Sequence, residues 1–434
     1  KLFFYMVDSV LLSQLDKINS GLARPKHYPF SKIKKVGVIG AGLMGHGIAY
    51  VSSYNGLEVV LLDKSKELAN TGLLKIEKIL DVEVSSGKIS TKKRDYILDL
   101  IETTDDASLF GSCDLIIEAV YENEKLKSDI IKNFTKIINS EVVFSSNTSS
   151  IPISQLAKYS SYPANFIGIH FFSPVHKMKL VEIINSKETS TLTLAKAFDF
   201  IKIIKKLPIV VNDGPGFFTT RVFMRYIMEG MALLFEGCSA ESIELAGKKA
   251  GFPVGPLAVS DEIGLQVAYK IRIENKKTLN KRMKDSNGGD WDTILDIMVN
   301  EFGRFGRENR KGFYEYPKNS KKYLWAELGE SLSLKQNNIP QQEMIDRLLF
   351  SQVIESLYCY EEGVLNTVIE ANVGSIYGWG FPSPGILEFI NSFGIKNFIK
   401  RSSYLSKIHG NRFNLPSSFK DFGNIEDLFL KNKI

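Results

Sequence analysis

The most constraining feature of the sequence is an apolar run that leads directly into a glycine-rich turn and then into a helical pattern. Residues 36–39 are apolar enough for a buried strand, and the turn GAGLMG occupies residues 40–45. Gly40 permits a tight turn, Gly42 lets a phosphate group approach the backbone, and Gly45 lets the helix pack closely on the strand. A helix from Met44 to about residue 54 would offer its N-terminal N–H groups to that phosphate.

A second apolar run and an acid complete this unit. Residues 59–62 end in Asp63, where a carboxylate can accept the ribose 2′-hydroxyl of a dinucleotide and repel a 2′-phosphate. Glycines in any loop can fall at this spacing by accident, but here strand, turn, helix, strand and acid follow in order. The stretch therefore predicts a dinucleotide site that favours NAD over NADP.

Composition limits what else the chain can be. Its 434 residues, 44% hydrophobic and 24% charged, are ordinary for a folded protein of two or three domains. The net charge of +6 comes from lysines scattered along the chain, so we expect no nucleic-acid partner. Three well-separated cysteines predict neither a disulfide framework nor a zinc site, and we expect no metal. No apolar run is long enough to predict a membrane span.

The first residues read as a helix and a linker. The chain begins at Lys1 rather than Met, so we expect a fragment or a processed form. Apolar residues recur at helical spacing until Gly21 and Pro25 break the pattern, which predicts a linker helix within residues 1–30. This helix is either a strap to an upstream domain or a helix packed on its own core.

From Lys34 to about Leu207, apolar strands alternate with helical stretches. The alternation predicts a largely parallel, doubly wound sheet of Rossmann type over residues 31–212, with helices on both faces. Ligands of such sheets lie outside the carboxyl ends of the strands. Glu122 and Lys127 follow one predicted strand end, and residues 146–149 (SNTS) follow the next. Their position makes them candidate ligand contacts, although a lone lysine is more often an ordinary surface residue.

Two further predicted strands carry a histidine and a carboxylate. A period of two places His170 on one face of its strand and Glu182 on an apolar face of the next. A carboxylate there is costly unless it is paired, and His170 is the available partner. An imidazole held by a carboxylate suits a general base that takes the proton of a secondary alcohol while hydride leaves for a nicotinamide ring. Ser149 can hydrogen-bond the same oxygen; the alternative is a satisfied core histidine beside a surface glutamate.

After residue 212 the strand rhythm ends and helical patterns dominate. The landmarks Arg221, Glu236-Gly237, Gly251-Phe252-Pro253 and Gly264 recur as Arg347, Glu362-Gly363, Gly380-Phe381-Pro382 and Gly394. This recurrence indicates a duplicated helical domain, with copies over residues 213–316 and 340–430 and a charged, loop-like stretch at residues 275–290. The predicted fold class is α/β, a Rossmann-type doubly wound nucleotide-binding domain followed by a duplicated all-α C-terminal domain.

Taken together, these motifs resemble the 3-hydroxyacyl-CoA dehydrogenase family. The likeness rests on GAGLMG (40–45), Glu122-Asn123 with Lys127, SNTSS (146–150), HFFSP (170–174), MKLVE (178–182) and DGPGF (213–217). It covers about residues 34–314, and the tail extends it to about residue 430, as in the dehydrogenase part of the multifunctional fatty-acid oxidation proteins. The resemblance implies NAD-dependent oxidation of (S)-3-hydroxyacyl-CoA to 3-oxoacyl-CoA in fatty-acid β-oxidation.

The resemblance also implies roles for single residues. It implies His170 as the catalytic base, Glu182 as its partner, and Ser149 as a contact of both substrate and nicotinamide. Contacts to NAD are implied for Met44, Asp63, Glu122 and Lys127, beside the turn glycines Gly40, Gly42 and Gly45. Contacts to the substrate are implied for Thr220 and for Tyr377, which precedes GWGFP (378–382).

Two positions depart from the usual family pattern, which often has asparagine where this chain has Ser173 and Thr220. We therefore assign no nicotinamide contact to Ser173. A threonine at the second position is similar to the alpha subunits of the mitochondrial trifunctional proteins, which implies long acyl chains as substrates. The resemblance further implies a mitochondrial location, in the matrix or at the inner membrane, with the peroxisome or cytoplasm as alternatives.

Partners and competing functions follow from the same likeness. It implies a 3-hydroxyacyl-CoA substrate, a thiolase subunit, a separate enoyl-CoA hydratase and an oligomer, and we expect no hydratase activity from this chain. One competing hypothesis is a catalytically weakened NAD-binding or structural paralogue, which the departures at Ser173 and Thr220 would suit. A second is a dehydrogenase of small free hydroxy acids, against which the long helical duplication argues. Retention of both His170 and Glu182 favours an active 3-hydroxyacyl-CoA dehydrogenase over the weakened paralogue.

Overall fold

The structure is a computed structural model that describes residues 2–275, 290–332 and 335–421. The described chain divides into two compact units, residues 12–217 and residues 2–11 together with those from 218 onward. Most of the predicted charged stretch at residues 275–290, and the end of the second predicted helical copy, lie outside the described residues. In the described ranges, no helix has both the length and the apolar character that crossing a bilayer requires.

One sheet organises residues 12–217, all of which the structure describes. Its strands are β1 (Lys35–Ile39), β2 (Glu58–Leu62), β3 (Ile101–Thr104), β4 (Leu115–Glu118), β5 (Val143–Ser146), β6 (Phe166–Phe171), β7 (Leu180–Asn185) and β8 (Leu207–Asn212). Their spatial order is β3-β2-β1-β4-β5-β6-β7-β8. Neighbouring strands are parallel except β6 and β7, which are antiparallel. The carboxyl ends of β1 to β6 therefore lie at one edge of the sheet.

Helix α1 (Leu2–Asn19) precedes the sheet in the chain, and further helices connect the strands and cover the sheet. They are α2 (Leu43–Tyr54), α3 (Lys66–Ser85), α4 (Thr91–Asp99), α5 (Glu124–Phe134), α6 (Ile153–Ala157) and α7 (Thr191–Ile203), with 3₁₀ turns at Ala107–Ser112 and Pro163–Asn165. Every residue of β4, β5 and β6 is buried. A strand buried along its whole length needs cover on both faces, as expected for a doubly wound sheet.

The two edge strands are the part of the sheet that the sequence pattern does not predict. β3 has four residues, and its Glu102 is exposed, so it shows no apolar run. β8 carries Pro208 at its second position, paired with Val181 of β7. A proline argues against a central strand because it cannot donate to the ladder, but an edge strand accepts it. Their position at the edges of the sheet thus explains why the sequence pattern does not predict β3 and β8.

Helices dominate the chain from residue 218 onward. The described helices are α8 (Thr219–Phe235), α9 (Ala240–Lys249), α10 (Pro256–Ile263), α11 (Leu265–Asn275), α12 (Asp290–Asp296), α13 (Leu328–Ser331), α14 (Gln341–Glu361), α15 (Val368–Trp379), α16 (Glu388–Phe393) and α17 (Ile395–His409). A π-helical turn spans Ile297–Glu301, and a small ribbon pairs β9 (Tyr314–Glu315) with β10 (Tyr323–Leu324). The predicted fold class, a Rossmann-type sheet domain followed by a helical domain, is confirmed.

The helices after residue 218 repeat in order. By the landmark residues of the sequence repeat, α8, α9, α10 and α11 of the first copy correspond to α14, α15, α16 and α17 of the second. The glycines that end the third helix of each set share one backbone conformation, with φ 95° and ψ 117° at Gly264 and φ 83° and ψ 121° at Gly394. A side chain rarely adopts this left-handed conformation, which accounts for glycine in both copies.

The first helices of the two copies exchange buried ion pairs reciprocally. The interval from Arg221 to Arg347 equals that from Glu229 to Glu355 and that from Glu236 to Glu362. The contacts are Arg221 Nε to Glu355 Oε1 at 2.6 Å, Arg221 Nη1 to Glu362 Oε2 at 2.7 Å, Arg347 Nε to Glu229 Oε1 at 2.6 Å and Arg347 Nη1 to Glu236 Oε2 at 2.6 Å. Each copy thus supplies the counter-ions of the other.

Removing one partner of these pairs should destabilise the helical unit. In an Arg347→Met variant, Glu229 and Glu236 lose the more buried of their two guanidinium partners and keep only Arg412. We expect the free energy of unfolding to fall by about 3 kcal/mol. Urea unfolding measures this change. The control is Arg307→Ala, because Arg307 is 67% exposed and its pair with Glu262 should contribute little. Equal stability of the Arg347→Met variant and the wild type would contradict this account.

The same pairs should make the helical unit sensitive to acid. Burial alone would raise the pKa of Glu229, but the charges of Arg347 and Arg412 outweigh it and lower the pKa from 4.5 to about 2. Stability from a lowered carboxyl pKa is present above 4.5 and is lost as the pH falls toward about 2. We expect the Glu229→Gln variant to lose less stability than the wild type across this pH window, as measured by urea unfolding. The Glu241→Gln variant, changed at an exposed position, should lose as much stability as the wild type. Parallel pH profiles for the wild type and Glu229→Gln would refute this.

Candidate active site

The glycine turn after β1 opens the candidate site. Gly40 has φ 98°, and a Cβ on Gly45 would lie 1.6 Å from the carbonyl oxygen of Gly40, so the turn and the close packing of α2 both require glycine. A Cβ on Gly42 would meet no atom of the described residues within 4 Å. No side chain of the described residues caps α2, and Met44 lies in its first turn. The N–H groups in the first turn of α2 therefore have no capping side chain among the described residues, which leaves them available to a phosphate.

Asp63 follows β2 and contacts the same turn. Its Oδ2 accepts a hydrogen bond from the backbone N–H of Ala41 at 2.8 Å, and its Oδ1 accepts one from the N–H of Lys64 at 2.7 Å. The carboxylate thus lies beside the glycine turn, where it can accept a ribose hydroxyl. The open backbone at Gly42 and the acid at the end of the second strand fit an NAD molecule.

His170 and Glu182 meet across the antiparallel strands β6 and β7. They are directly opposite residues in the register, so both side chains lie on one face of the sheet. The distance from His170 Nδ1 to Glu182 Oε2 is 2.9 Å. Glu182 is fully buried and His170 is 7% exposed. Because a carboxylate only accepts, Nδ1 donates its hydrogen, which leaves the lone pair of Nε2 available to take a proton.

Several neighbours that the sequence analysis did not assign hold this pair in place. The backbone N–H of Phe171 donates to Asn147 Oδ1 at 2.8 Å, and the ring of Phe172 lies 4.6 Å from that of His170. Lys206 donates from Nζ to the carbonyls of Val175, at 2.6 Å, and of Met178, and so fixes the turn that joins the two strands. Asn147 and Phe172 stand in the motifs SNTSS and HFFSP, which could have suggested them, whereas Lys206 stands in no motif of the sequence analysis.

Glu118, Glu122 and Lys127 form a buried charge network beside β4 and β5. Lys127 Nζ lies 2.8 Å from Glu118 Oε1 and 3.2 Å from Glu122 Oε2. Burial alone would lower the pKa of Lys127, but the two carboxylates outweigh it and raise the pKa. Burial alone would likewise raise the pKa of Glu122, but Lys127 and donors at Thr148 and Ser149 lower it. Glu122 and Lys127 are therefore both charged at neutral pH.

The structure brings most of the predicted site residues to one edge of one sheet. The glycine turn, Met44 and Asp63 follow β1 and β2; Glu122, Lys127 and the half-buried Ser149 follow β4 and β5; and His170 is next to last in β6. Thr220 and Tyr377 instead lie in the helical unit, in the first turn of α8 and near the end of α15. The individual roles of these residues in binding and catalysis stay predictions.

Comparisons with known proteins point to one family. Residues 35–214 match the family model of the 3-hydroxyacyl-CoA dehydrogenase NAD binding domain, and residues 216–316 match that of the 3-hydroxyacyl-CoA dehydrogenase C-terminal domain. A (S)-3-hydroxybutyryl-CoA dehydrogenase from Ralstonia eutropha is 34% identical, with a TM-score of 0.62, over 66% of this chain and 100% of that one. A 3-hydroxybutyryl-CoA dehydrogenase from Escherichia coli K12, 22% identical, shares the fold with a TM-score of 0.78, over 93% of this chain and 100% of that one.

A longer curated relative extends the comparison. The fatty acid oxidation complex subunit alpha of Shewanella baltica is 36% identical over 391 residues, which are 88% of this chain and 54% of that protein. The chain thus spans about half the length of this relative. Its two domain matches, its sheet and its glycine turn agree with one assignment: the chain belongs to the 3-hydroxyacyl-CoA dehydrogenase family and is an NAD-dependent oxidoreductase.

Proposed function

We propose that the chain oxidises the 3-hydroxyl group of (S)-3-hydroxyacyl-CoA to the 3-oxo group in fatty-acid β-oxidation. The observation that carries the proposal is the 2.9 Å contact between His170 and Glu182, on the sheet that also bears the glycine turn. An intact base and partner favour turnover over a paralogue that only binds the cofactor. The relatives, which include a (S)-3-hydroxybutyryl-CoA dehydrogenase and a fatty acid oxidation complex subunit, support the substrate class.

Residues at the carboxyl edge of the sheet would each have a separate role in the reaction. Bound at the glycine turn and Asp63, NAD would supply the acceptor for the hydride that leaves the substrate carbon. His170 takes the hydroxyl proton on Nε2, and the charge of Glu182 stabilises the imidazolium that results. Ser149 would donate a hydrogen bond to the same substrate oxygen, and Asp63 would accept the ribose hydroxyl and disfavour a 2′-phosphate. The N–H groups at the start of α2 would bind the phosphates.

We also propose a setting for the reaction. The Shewanella relative is named as a subunit of a fatty acid oxidation complex, and we propose that this chain likewise works in a complex, beside a thiolase subunit and a separate enoyl-CoA hydratase. For the compartment we propose the mitochondrial matrix or inner membrane, on the likeness at Thr220 alone. Cys113, Cys238 and Cys359 are buried and form no disulfide in the described chain, which suits a reducing compartment.

Replacing the proposed base should slow turnover without loss of cofactor. We expect His170→Ala to lower kcat for NADH-dependent reduction of 3-oxoacyl-CoA by about 10²-fold or more, since no group replaces the base. The NADH dissociation constant, measured by fluorescence titration, should change little. His27→Ala is the matched control, because His27 is an exposed histidine of the same unit. Full activity of His170→Ala would remove the proposed mechanism.

Chain length tests the proposed long-chain preference. We expect kcat/KM for a C16 3-oxoacyl-CoA to exceed that for a C4 substrate by about tenfold or more, because added methylenes bury apolar surface. Thr220→Asn, which restores the common family residue, should narrow this ratio. Equal or higher kcat/KM for the C4 substrate would overturn the long-chain preference while leaving the reaction itself in place.

A further inference from the structure

Glu118 is a carboxylate with no contact to water at the carboxyl end of an apolar strand. It is the last residue of β4 and is 0% exposed. Its acceptor capacity is used inside the protein: Oε1 accepts from Lys127 Nζ at 2.8 Å and from the N–H of Val120 at 2.8 Å, and Oε2 accepts from Ser146 Oγ at 2.6 Å. A group so completely satisfied does not meet a ligand itself.

Lys127 is equally enclosed. Its side chain is 1% exposed, and Nζ contacts both oxygens of Glu118, the carbonyl of Val120 at 3.4 Å and Glu122 Oε2 at 3.2 Å. An ammonium group has three hydrogens to donate, and these acceptors use all of them. Lys127 therefore has no hydrogen left for a cofactor phosphate or ribose while the network is intact.

Glu122 is the one member of the network that reaches the surface, with 26% of its side chain exposed. Its Oε1 accepts from Thr148 Oγ1 at 2.5 Å, from the N–H of Ser149 at 3.0 Å and from Ser150 Oγ at 3.1 Å. One carboxylate oxygen thus holds three consecutive residues of the turn after β5. Ser149, the predicted contact of substrate and nicotinamide, is in the middle of that turn.

We propose that Glu118 is a positioning residue for the cofactor end of the site, acting through Lys127 and Glu122 on the turn at residues 148–150. Glu118 neutralises Lys127, so the negative charge of Glu122 is not cancelled. Lys127 in turn fixes one oxygen of Glu122, which leaves the other to order the turn. The inference rests on the NAD cofactor of the family and not on the acyl-CoA substrate proposed above.

Stability alone does not explain a buried pair of this kind. Replacing a buried ion pair with neutral groups of similar size is often neutral or stabilising, whereas removing one partner is costly. This asymmetry separates a structural role from a positioning role. A variant that lacks both charges can be stable and still lose the hold on Glu122.

A double-mutant cycle of Glu118→Gln and Lys127→Met tests the proposal, with urea unfolding and NADH fluorescence titration on each variant. We expect both single variants to lose stability, because Lys127→Met leaves Glu118 without its counter-ion and Glu118→Gln leaves Lys127 with Glu122 as its one counter-ion in the network. The double variant should regain most of that stability but still bind NADH about tenfold more weakly than the wild type. A tenfold loss corresponds to about one hydrogen bond to a charged group. In the NAD-dependent reaction, the KM of the double variant for NAD should rise by a larger factor than its kcat falls.

Two further variants keep the test decisive if a single variant does not fold. Glu122→Gln leaves Lys127 paired with Glu118, so it should lose NADH affinity to the same extent with little change in stability. Lys125→Met, on the same helix α5 but 79% exposed, is the matched control and should change neither. A double variant with both wild-type stability and wild-type NADH affinity would show that the network is only structural and would overturn the proposal. Because NADH binding is the readout, this result is independent of the substrate.

Discussion

A carboxylate buried in an apolar sheet must be neutralised by a neighbour, and this requirement places the reactive groups of the protein. Glu182 meets it across two antiparallel strands, with His170 at 2.9 Å. Glu118 meets it with Lys127, which comes from the helix that follows the same strand. Both arrangements lie toward the edge of the sheet at which β4 and β6 end, the same edge that carries the glycine turn of β1. The catalytic pair and the cofactor edge are therefore positioned by electrostatic necessity within the sheet as well as by the loops that leave it.

The two units use buried charge in different ways. In the sheet unit, the buried acids Glu118 and Glu182 are paired close to groups that would contact a ligand. In the helical unit, the arginines of α8 and α14 contact carboxylates on the opposite copy of the duplication. The first arrangement orients functional side chains, and the second joins two similar helical segments into one body. The first arrangement matters for catalysis, because hydride transfer depends on groups that are held to within fractions of an ångström.

Much of this arrangement could be predicted from the sequence, because local patterns carry it. The glycine turn depends on neighbours in the chain, and the pairing of His170 with Glu182 follows from the period of two and the cost of a buried acid. The edge strands could not be predicted, since β3 has no apolar run and Pro208 argues against a strand. Nor does the sequence distinguish Lys127 from Lys125, which is 79% exposed. That difference depends on which face of α5 points toward Glu118, a residue of the preceding strand.

The reciprocal ion pairs restrict how the duplicated helices can diverge. Arg221 and Arg347 each contact carboxylates of the opposite copy, so neither copy is electrically balanced alone. A charge lost from α8 weakens the neutralisation of a buried group in α14, and the reverse also holds, although Arg225 still pairs with Glu355 and Arg412 with Glu229. A substitution in one copy therefore acts on the stability of the other, so the paired positions of the two copies are expected to change together.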